Sequence, residues 1–311
     1  MQFSVIIPNY NHEVYLYLRI QSVLNQTYSD FEVIILDDCS TDNSREIIEM
    51  FRGHKKITHI EYNEKNSGSP FKQWEKGFEL AQGELIWIAE SDDVADITFL
   101  ERIIPYFKNP NVKLVFSDSK IINEHGDVIH KRNPWIHETN YDIGYEIKLW
   151  DGIEFLEKFQ RYRNYVSNAS SAVFRKKYLN EISTDFMLYR YTGDWFFWNQ
   201  LLLSGDVCYI PETLNSWRNH KNSTRSVEDL SKDYLRLNET TRVIRQTNRT
   251  LKSKPDFNKY HWIIEWWMSR YSYQNLFNLK YIIPPIYIRL IPYLYKSMIF
   301  RTFKELKNSA S

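Results

Sequence analysis

Cysteine is nearly absent from this chain: Cys39 and Cys208 are the only two in 311 residues. That is too few for a disulfide framework or a cysteine-rich zinc site. Glycine and proline are also scarce, at 9 and 10, which excludes collagen-like repeats and long Gly/Ser linkers. The stretch MQFSVIIPNYN shows neither the basic n-region nor the apolar h-region of a secretion signal, so a cytoplasmic setting is expected. No internal repeat, heptad array or low-complexity segment is present. No G-x-G-x-x-G follows the first apolar run and no G-x-x-x-x-G-K-[ST] occurs anywhere, so a bound phosphate needs something other than a glycine nest. No two His or Cys stand at ligand spacing within one element, which argues against zinc.

What is present is an ordinary globular composition, 43% apolar and 25% charged, long enough for about two domains' worth of core. The net charge of +1 conceals an asymmetry. Residues 1–230 carry 25 Lys/Arg against 34 Asp/Glu, while residues 231–311 carry 15 against 5. The basic segment is also rich in aromatics, among them Trp262, Trp266, Trp267, Tyr271, Tyr273 and Phe277. Basic residues interleaved with Trp and Tyr suit an anionic membrane surface. A spanning helix is not expected, because Arg289, Lys296 and three prolines break the apolar run between Tyr281 and Phe300. The competing reading is that this segment packs on the acidic body and balances its charge.

Apolar, β-branched runs at 3–8, 31–36, 58–62, 84–89 and 113–117 alternate with helical patterns, including one from about Pro70 to Ala81. Continuous rather than alternating apolar strands predict a parallel sheet covered on both faces. After about residue 118 the rhythm loosens, with helical spacing near 151–162 and 194–203 and a short strand at 207–210. Mainly helical spacing resumes from about 228.

Ligands of open parallel sheets bind at the carboxyl ends of the strands, and three of these ends are unusually polar. They read Asn9-Tyr10-Asn11-His12, Asp37-Asp38-Cys39-Ser40-Thr41-Asp42, and Glu90-Ser91-Asp92-Asp93. Two acidic clusters on one edge repel unless a positive charge lies between them, and a divalent cation with its phosphate ligand fits that need. The plainer account is that Asp38, Ser40 and Asp42 only shape a turn and cap the next helix.

In this order and spacing, VIIPNYN, DFEVIILDDCSTDNS, Asn66-Ser67-Gly68, GELIWIAESDD and TGDWFFW resemble the inverting glycosyltransferases of family two. The resemblance implies an α/β fold of GT-A type, with a mostly parallel nucleotide-binding sheet flanked by helices and a C-terminal helical extension. It divides the chain into a nucleotide-sugar-binding half (1–118), an acceptor-binding half (119–227) and a basic, aromatic extension (228–311). It implies that Pro8 and Tyr10 line a nucleoside pocket, that Asp38 accepts a hydrogen bond from a uracil base, and that Asp92 meets the ribose or the metal. Asp93 is then the ligand of Mn²⁺ or Mg²⁺, with His220 closing over the metal or diphosphate and Arg218 beside it. Asp194 is the implied general base, against the plainer reading of a helix cap. Trp195 is expected either to stack on an acceptor sugar or to sit in the core. Where many members carry Ala-Arg-Asn after the Asn-x-Gly, this chain has Lys72-Gln73-Trp74, so Lys72 is the expected substitute for the arginine near the nucleotide.

The function implied is metal-dependent transfer of a sugar from a UDP-sugar to a glycan or lipid-linked glycan in surface polysaccharide synthesis, on the inner face of a membrane. Two alternatives stand beside it. A nucleotidyltransferase would use a Gly-rich loop where this chain has PNYNHE, and a non-catalytic scaffold would not need Asp38, Asp93 and Asp194 together. Nucleic acid is not an expected partner, since no recognised motif accompanies the basic tail.

Overall fold

The computed structural model describes residues 2–137, 143–221, 229–270, 286, 290–297 and 299. Strands β1 (Phe3–Asn9), β2 (Phe31–Asp37), β3 (Ile57–Tyr62) and β4 (Leu85–Ile88) alternate with helices α1 (Glu13–Leu24), α2 (Ser44–Glu49) and α3 (Pro70–Leu80). They lie side by side as β3-β2-β1-β4, with every pairing parallel. All residues of β1, β2 and β4 are buried, which is why these strands read as unbroken apolar runs.

Beyond β4 the sheet changes character. The next elements are β5 (Val94–Ala95), α4 (Phe99–Ile103), β6 (Val112–Ile122), β7 (Val128–His130), α5 (Pro134–His137), β8 (Lys148–Trp150), α6 (Gly152–Phe155) and β9 (Ala172–Arg175). They are followed by α7 (Gly193–Leu202), β10 (Asp206–Arg218), α8 (Leu230–Thr250) and α9 (His261–Arg270). The strand order continues β4-β9-β6-β10-β5, with β9 antiparallel to both neighbours and β10 parallel to β6. The sheet as a whole is therefore mixed, and its first four strands form the parallel part. Both β6 and β10 run longer than their apolar cores suggest. Pro211 would ordinarily end a strand, but the β10 register shifts between Ile210 and Thr213, and this irregularity carries the strand past it.

Side chains alternate between two cores. Val5, Ile7, Val33 and Ile35 pack with Leu16, Ile20 and Ile48 on one face. Ile6, Ile34, Leu36 and Ile88 face Trp74, Phe78, Phe197 and Trp198 on the other. That second core also takes in Leu237, Val243 and Ile244 of α8 and Ile263, Ile264 and Trp267 of α9, with Trp262 and Trp266 partly buried against it. The extension as far as Arg270 thus packs on the catalytic body, while most of the residues on which the membrane expectation falls lie outside the described ones. Among the described residues no helix is long and apolar enough to cross a membrane.

Candidate active site

The carboxyl ends of β1, β2 and β4 open into a cavity of about 1030 Å³ whose far wall is built by residues between 121 and 270. At the first two ends, buried Asp37 fastens the loops together. Its Oδ1 accepts from Asn9 Nδ2 at 2.8 Å and from Ser40 Oγ at 2.6 Å. Asp42, one residue before the N-cap of α2, shapes the turn: its oxygens accept from Ser44 N and from Glu13 N, at the starts of α2 and α1. Asn11 (φ 55°) and Cys39 (φ 61°) hold the left-handed conformation in these two loops, which non-glycine residues adopt only under constraint.

Asp38 instead lies on the cavity wall, with Pro8 and Tyr10 beside it. Its Oδ1 accepts from Asn63 Nδ2, Ser67 N and Gln73 Nε2, at 2.7, 2.9 and 2.9 Å, and its Oδ2 from Ser67 Oγ at 2.8 Å. Gly68 completes that loop at φ +75°, where a side chain would be strained. Lys72, expected near the nucleotide, is exposed, donates to Ser67 O at 3.1 Å and is not on the wall. It ties down its own loop, and the cation that reaches this loop from across the cavity is Arg190, hydrogen-bonded to Gly68 O.

The loop after β4 departs furthest from expectation. Asp93 is 1% exposed, and each of its oxygens already accepts from protein: Asn168 Nδ2 at 2.8 Å and Arg218 N at 2.9 Å. Burial, reinforced by the charge of Asp92, pushes its carboxyl up to about 6. Asp92 points to His220, whose Nε2 lies 3.1 Å from Asp92 Oδ2. Burial alone would raise the Asp92 pKa, but the His220 hydrogen bond and the neighbouring imidazoles outweigh it and hold it below the usual carboxylate range. His12 joins them: one ligand atom from each of His12, Asp92 and His220 lies within 4.8 Å of the others. Ser91 Oγ contacts His12 Nδ1 at 2.7 Å, leaving Nε2 for a ligand. The candidate metal-holding cluster thus contains Asp92 and not the expected Asp93, and it includes His12, which spacing within one element could not disclose.

Three further residues explain how so much negative charge coexists here. Burial, with the charge of Asp92 second, pushes Glu90 up to about 8, so it carries a proton at neutral pH while its Oε1 accepts from Trp74 Nε1 at 3.0 Å. Arg19 on α1 is fully buried over the face of Trp87, 5.2 Å from the ring centre, and burial lowers it only to about 10. It is a resident cation beneath the acidic loop. Arg218, expected to meet acceptor or diphosphate, is committed elsewhere: it donates to Asp92 O, Asn123 O and Glu124 O and lies over Tyr15. It ends strand β10, pairing with Ile122, and so braces the Asp92 loop from behind.

Across the cavity, Asp194 lies in the first turn of α7, where the helix dipole favours a carboxylate. The N-cap is Thr192, so Asp194 is not the capping residue. Its Oδ2 accepts from Asn164 Nδ2 at 2.8 Å and its side chain lines the cavity. Gly193 is required because a Cβ there would come within 2.4 Å of Phe186 O. Glu239 of α8 accepts the backbone N–H groups of Arg190, Tyr191 and Thr192, at 2.8, 2.8 and 3.2 Å, and so clamps the approach to α7. Trp195 does not reach the cavity: it is 3% exposed and its Nε1 donates to Gln160 O at 2.7 Å, which settles it in the core.

The glycosyl transferase family 2 model matches residues 4–183, more than half of the chain. The chain belongs to glycosyl transferase family 2. Among curated members of the family, the TarS poly(ribitol-phosphate) β-N-acetylglucosaminyltransferase of Staphylococcus aureus is 32% identical over 128 residues, 40% of this chain and 22% of TarS. The chain spans half or less of the length of the first relatives it matches. Among solved structures, residues 1–349 of S. aureus TarS in complex with UDP align with a TM-score of 0.63 at 20% identity. That alignment covers 100% of this chain and 92% of the other. The mannosyltransferase PcManGT of Pyrobaculum calidifontis, in complex with GDP-Man and Mn²⁺, aligns at 0.54 and 12% identity, over 89% and 78%. At these identities the likeness is one of fold, and it agrees with the GT-A architecture expected of family 2.

Proposed function

We propose that this chain is a divalent-metal-dependent, inverting glycosyltransferase that moves a sugar from a UDP-sugar to a glycan or lipid-linked glycan in surface polysaccharide synthesis. The observation that carries the reading is that Asp38, Asp194 and, from the His12–Asp92–His220 cluster, His12 and Asp92 line one cavity at the carboxyl ends of the parallel strands, with His220 directly behind Asp92. The UDP complex of TarS supports a uridine donor in this fold, and the Mn²⁺ complex of PcManGT supports a metal.

Pro8 and Tyr10 frame the nucleoside and Asp38 accepts the N–H of the base. The donor set of two imidazoles and one carboxylate fits Mn²⁺ better than Mg²⁺, which favours oxygen ligands. His12, Asp92 and His220 would hold the cation, which would supply positive charge near the departing diphosphate. Asp194, in the first turn of α7 and oriented by Asn164, takes the acceptor's proton. As it does so, the acceptor oxygen bonds to C1 of the sugar, the C1–O bond to the diphosphate breaks, and its electron pair leaves with UDP. Attack opposite the leaving group inverts C1. The basic extension would hold the enzyme at the inner membrane face, a reading supported by its charge and aromatic content.

Calorimetry with UDP, with and without Mn²⁺ and chelator, tests the donor and metal roles. Metal-enhanced binding that Asp92→Ala abolishes is expected, and UDP affinity indifferent to chelator would overturn the metal assignment.

A further inference from the structure

Asp194 apart, charge on the cavity wall is segregated by sequence. Asp38, Glu90, Asp92 and Asp93 all come from the first 93 residues, whereas every Lys or Arg on the wall is an arginine from residues 163–270. Arg218 is committed to backbone carbonyls, as described above. The other three, Arg163, Arg190 and Arg270, face the same space as Asp194.

Arg163 is the most constrained of these. Its guanidinium lies over Trp135 at 4.1 Å and over Trp262 at 5.1 Å, and its Nη1 donates to Trp135 O at 3.0 Å. That bond occupies one of the five N–H groups of a guanidinium. Neither Arg163 nor Arg190 forms an ion pair with a carboxylate among the described residues. Arg163 immediately precedes Asn164, which holds Asp194, and Arg190 stands four residues before Asp194 on the segment clamped by Glu239. Arg270 adds a third guanidinium from α9, with its Nε 3.7 Å from Asp233, a carboxylate that also serves Arg236.

A neutral sugar chain needs no such arrangement. Covering the Arg163 and Arg190 guanidiniums with uncharged hydroxyls would desolvate them without an opposite charge in return, and the carboxylate beside Arg270 is shared with Arg236. A planar arginine held against a pair of aromatic rings instead matches the paired oxygens of a phosphodiester or carboxylate. We propose that the acceptor of this enzyme is an anionic polymer, bearing a phosphodiester or carboxylate beside the hydroxyl that receives the sugar, and that Arg163, Arg190 and Arg270 hold that anion next to Asp194. The inference rests on the glycosyltransferase reading and adds the acceptor class to it. It also gives α9 a role in the site, since Arg270 brings the extension to the cavity wall.

The test uses the intact chain with Mn²⁺ and UDP and measures direct binding of three oligomers of matched length: a neutral oligosaccharide, a polyol phosphodiester and a uronic-acid oligosaccharide. At least one anionic oligomer should bind tenfold or more tighter than the neutral one, in a salt-sensitive way, and the two anionic arms tell phosphodiester from carboxylate. Arg163→Gln and Arg270→Gln should each remove most of that preference, with Arg163→Lys restoring part of it through charge alone. Equal binding of all three oligomers would overturn the inference. So would Gln variants that weaken UDP binding as strongly as oligomer binding, because the arginines would then serve the donor. UDP release from a UDP-sugar is measured separately, so failure of the transferase reading shows there and leaves the oligomer comparison readable.

Discussion

The two walls of the cavity are made in different ways. On the donor side, Pro8 lies in β1 and Asp38 directly follows β2, where backbone pairing fixes each position, while the loop carrying Asp92 beyond β4 is braced by Arg218 at the end of β10. On the acceptor side, Asp194 is placed by a helix start, by Asn164 and by a segment whose N–H groups are held by Glu239 from α8. The first wall is built on strand ends, with its last loop tied to β10, and is acidic. The second depends on contacts between residues far apart in sequence and is lined by arginine. A site so divided can keep one donor chemistry while its acceptor wall varies, because changes to the second wall leave the strand ends untouched.

The largest expected effect separates chemistry from binding across the two walls. Asp194→Asn keeps the shape and the bond to Asn164 but cannot take a proton, so turnover should fall by about two orders of magnitude or more. UDP affinity, set by the opposite wall, should hardly move. Steady-state rates beside UDP titrations check this, and full activity in the variant would remove Asp194 from the chemistry.

Next comes a contrast within the donor wall. Asp92→Ala should abolish the Mn²⁺ contribution to UDP binding, a loss of about 10–100-fold by analogy with disturbed metal sites. Asp93→Asn should leave that contribution standing and lower stability instead, because an amide cannot accept from both Asn168 and Arg218 N; a buried donor left unsatisfied costs about 1–3 kcal/mol. If the two variants behaved in the opposite way, Asp93 would be the ligand after all.

Glu239→Ala probes the long-range dependence of the acceptor wall. It strips the partners from three consecutive N–H groups, so a loss of about 2 kcal/mol or more is expected. The fall in turnover should exceed any fall in UDP affinity. Equal damage to both would mean that the walls are not independently supported.

These differences decide what could be read from the residues alone. The parallel half was legible because its strands are apolar throughout and its polar residues follow them directly, so Asp38 and the Glu90–Asp93 loop stood out. Asp194 was legible from TGDWFFW. What stayed hidden required distance: His12 meets His220 only after β10 returns beside β6, and Arg218 looked like a loop residue until strand pairing placed it. The choice between Asp92 and Asp93 turns on which carboxylate Asn168 occupies, and a one-residue distinction of that kind has no signature in composition or periodicity. Lys72 misled because a charge near a motif need not point into the cavity, and for Trp195 the structure selects the core from the two roles the sequence left open. The resident cation Arg19 was missed because a buried arginine on an amphipathic helix resembles any other helical arginine.

The smallest expected effect concerns Glu90 and belongs to the metal-free protein. Its carboxyl ordinarily titrates near 4.5 and is pushed up to about 8 in the fold. Between those values the unfolded chain has released the proton and the folded chain still holds it, so the folded state binds more protons and stability falls as pH rises. Below about 4.5 both states are protonated and above about 8 both are ionised, so the contribution is flat outside that window. Asp93, raised to about 6, adds a slope of the same sign over a narrower range. His12, lowered by burial, contributes the opposite sign below its ordinary value of 6.5. Glu90→Gln removes only the first contribution and leaves the others, so the difference between wild type and variant isolates it. Glu90 keeps some contact with solvent at the cavity and Arg19 lies beneath it, so the expected difference is on the order of 1 kcal/mol. Denaturant midpoints at pH 5 and pH 8, taken with chelator, should fall less for Glu90→Gln than for wild type. Parallel decline in the two proteins would mean that Glu90 is already ionised in the fold and that the donor wall carries its negative charge at neutral pH.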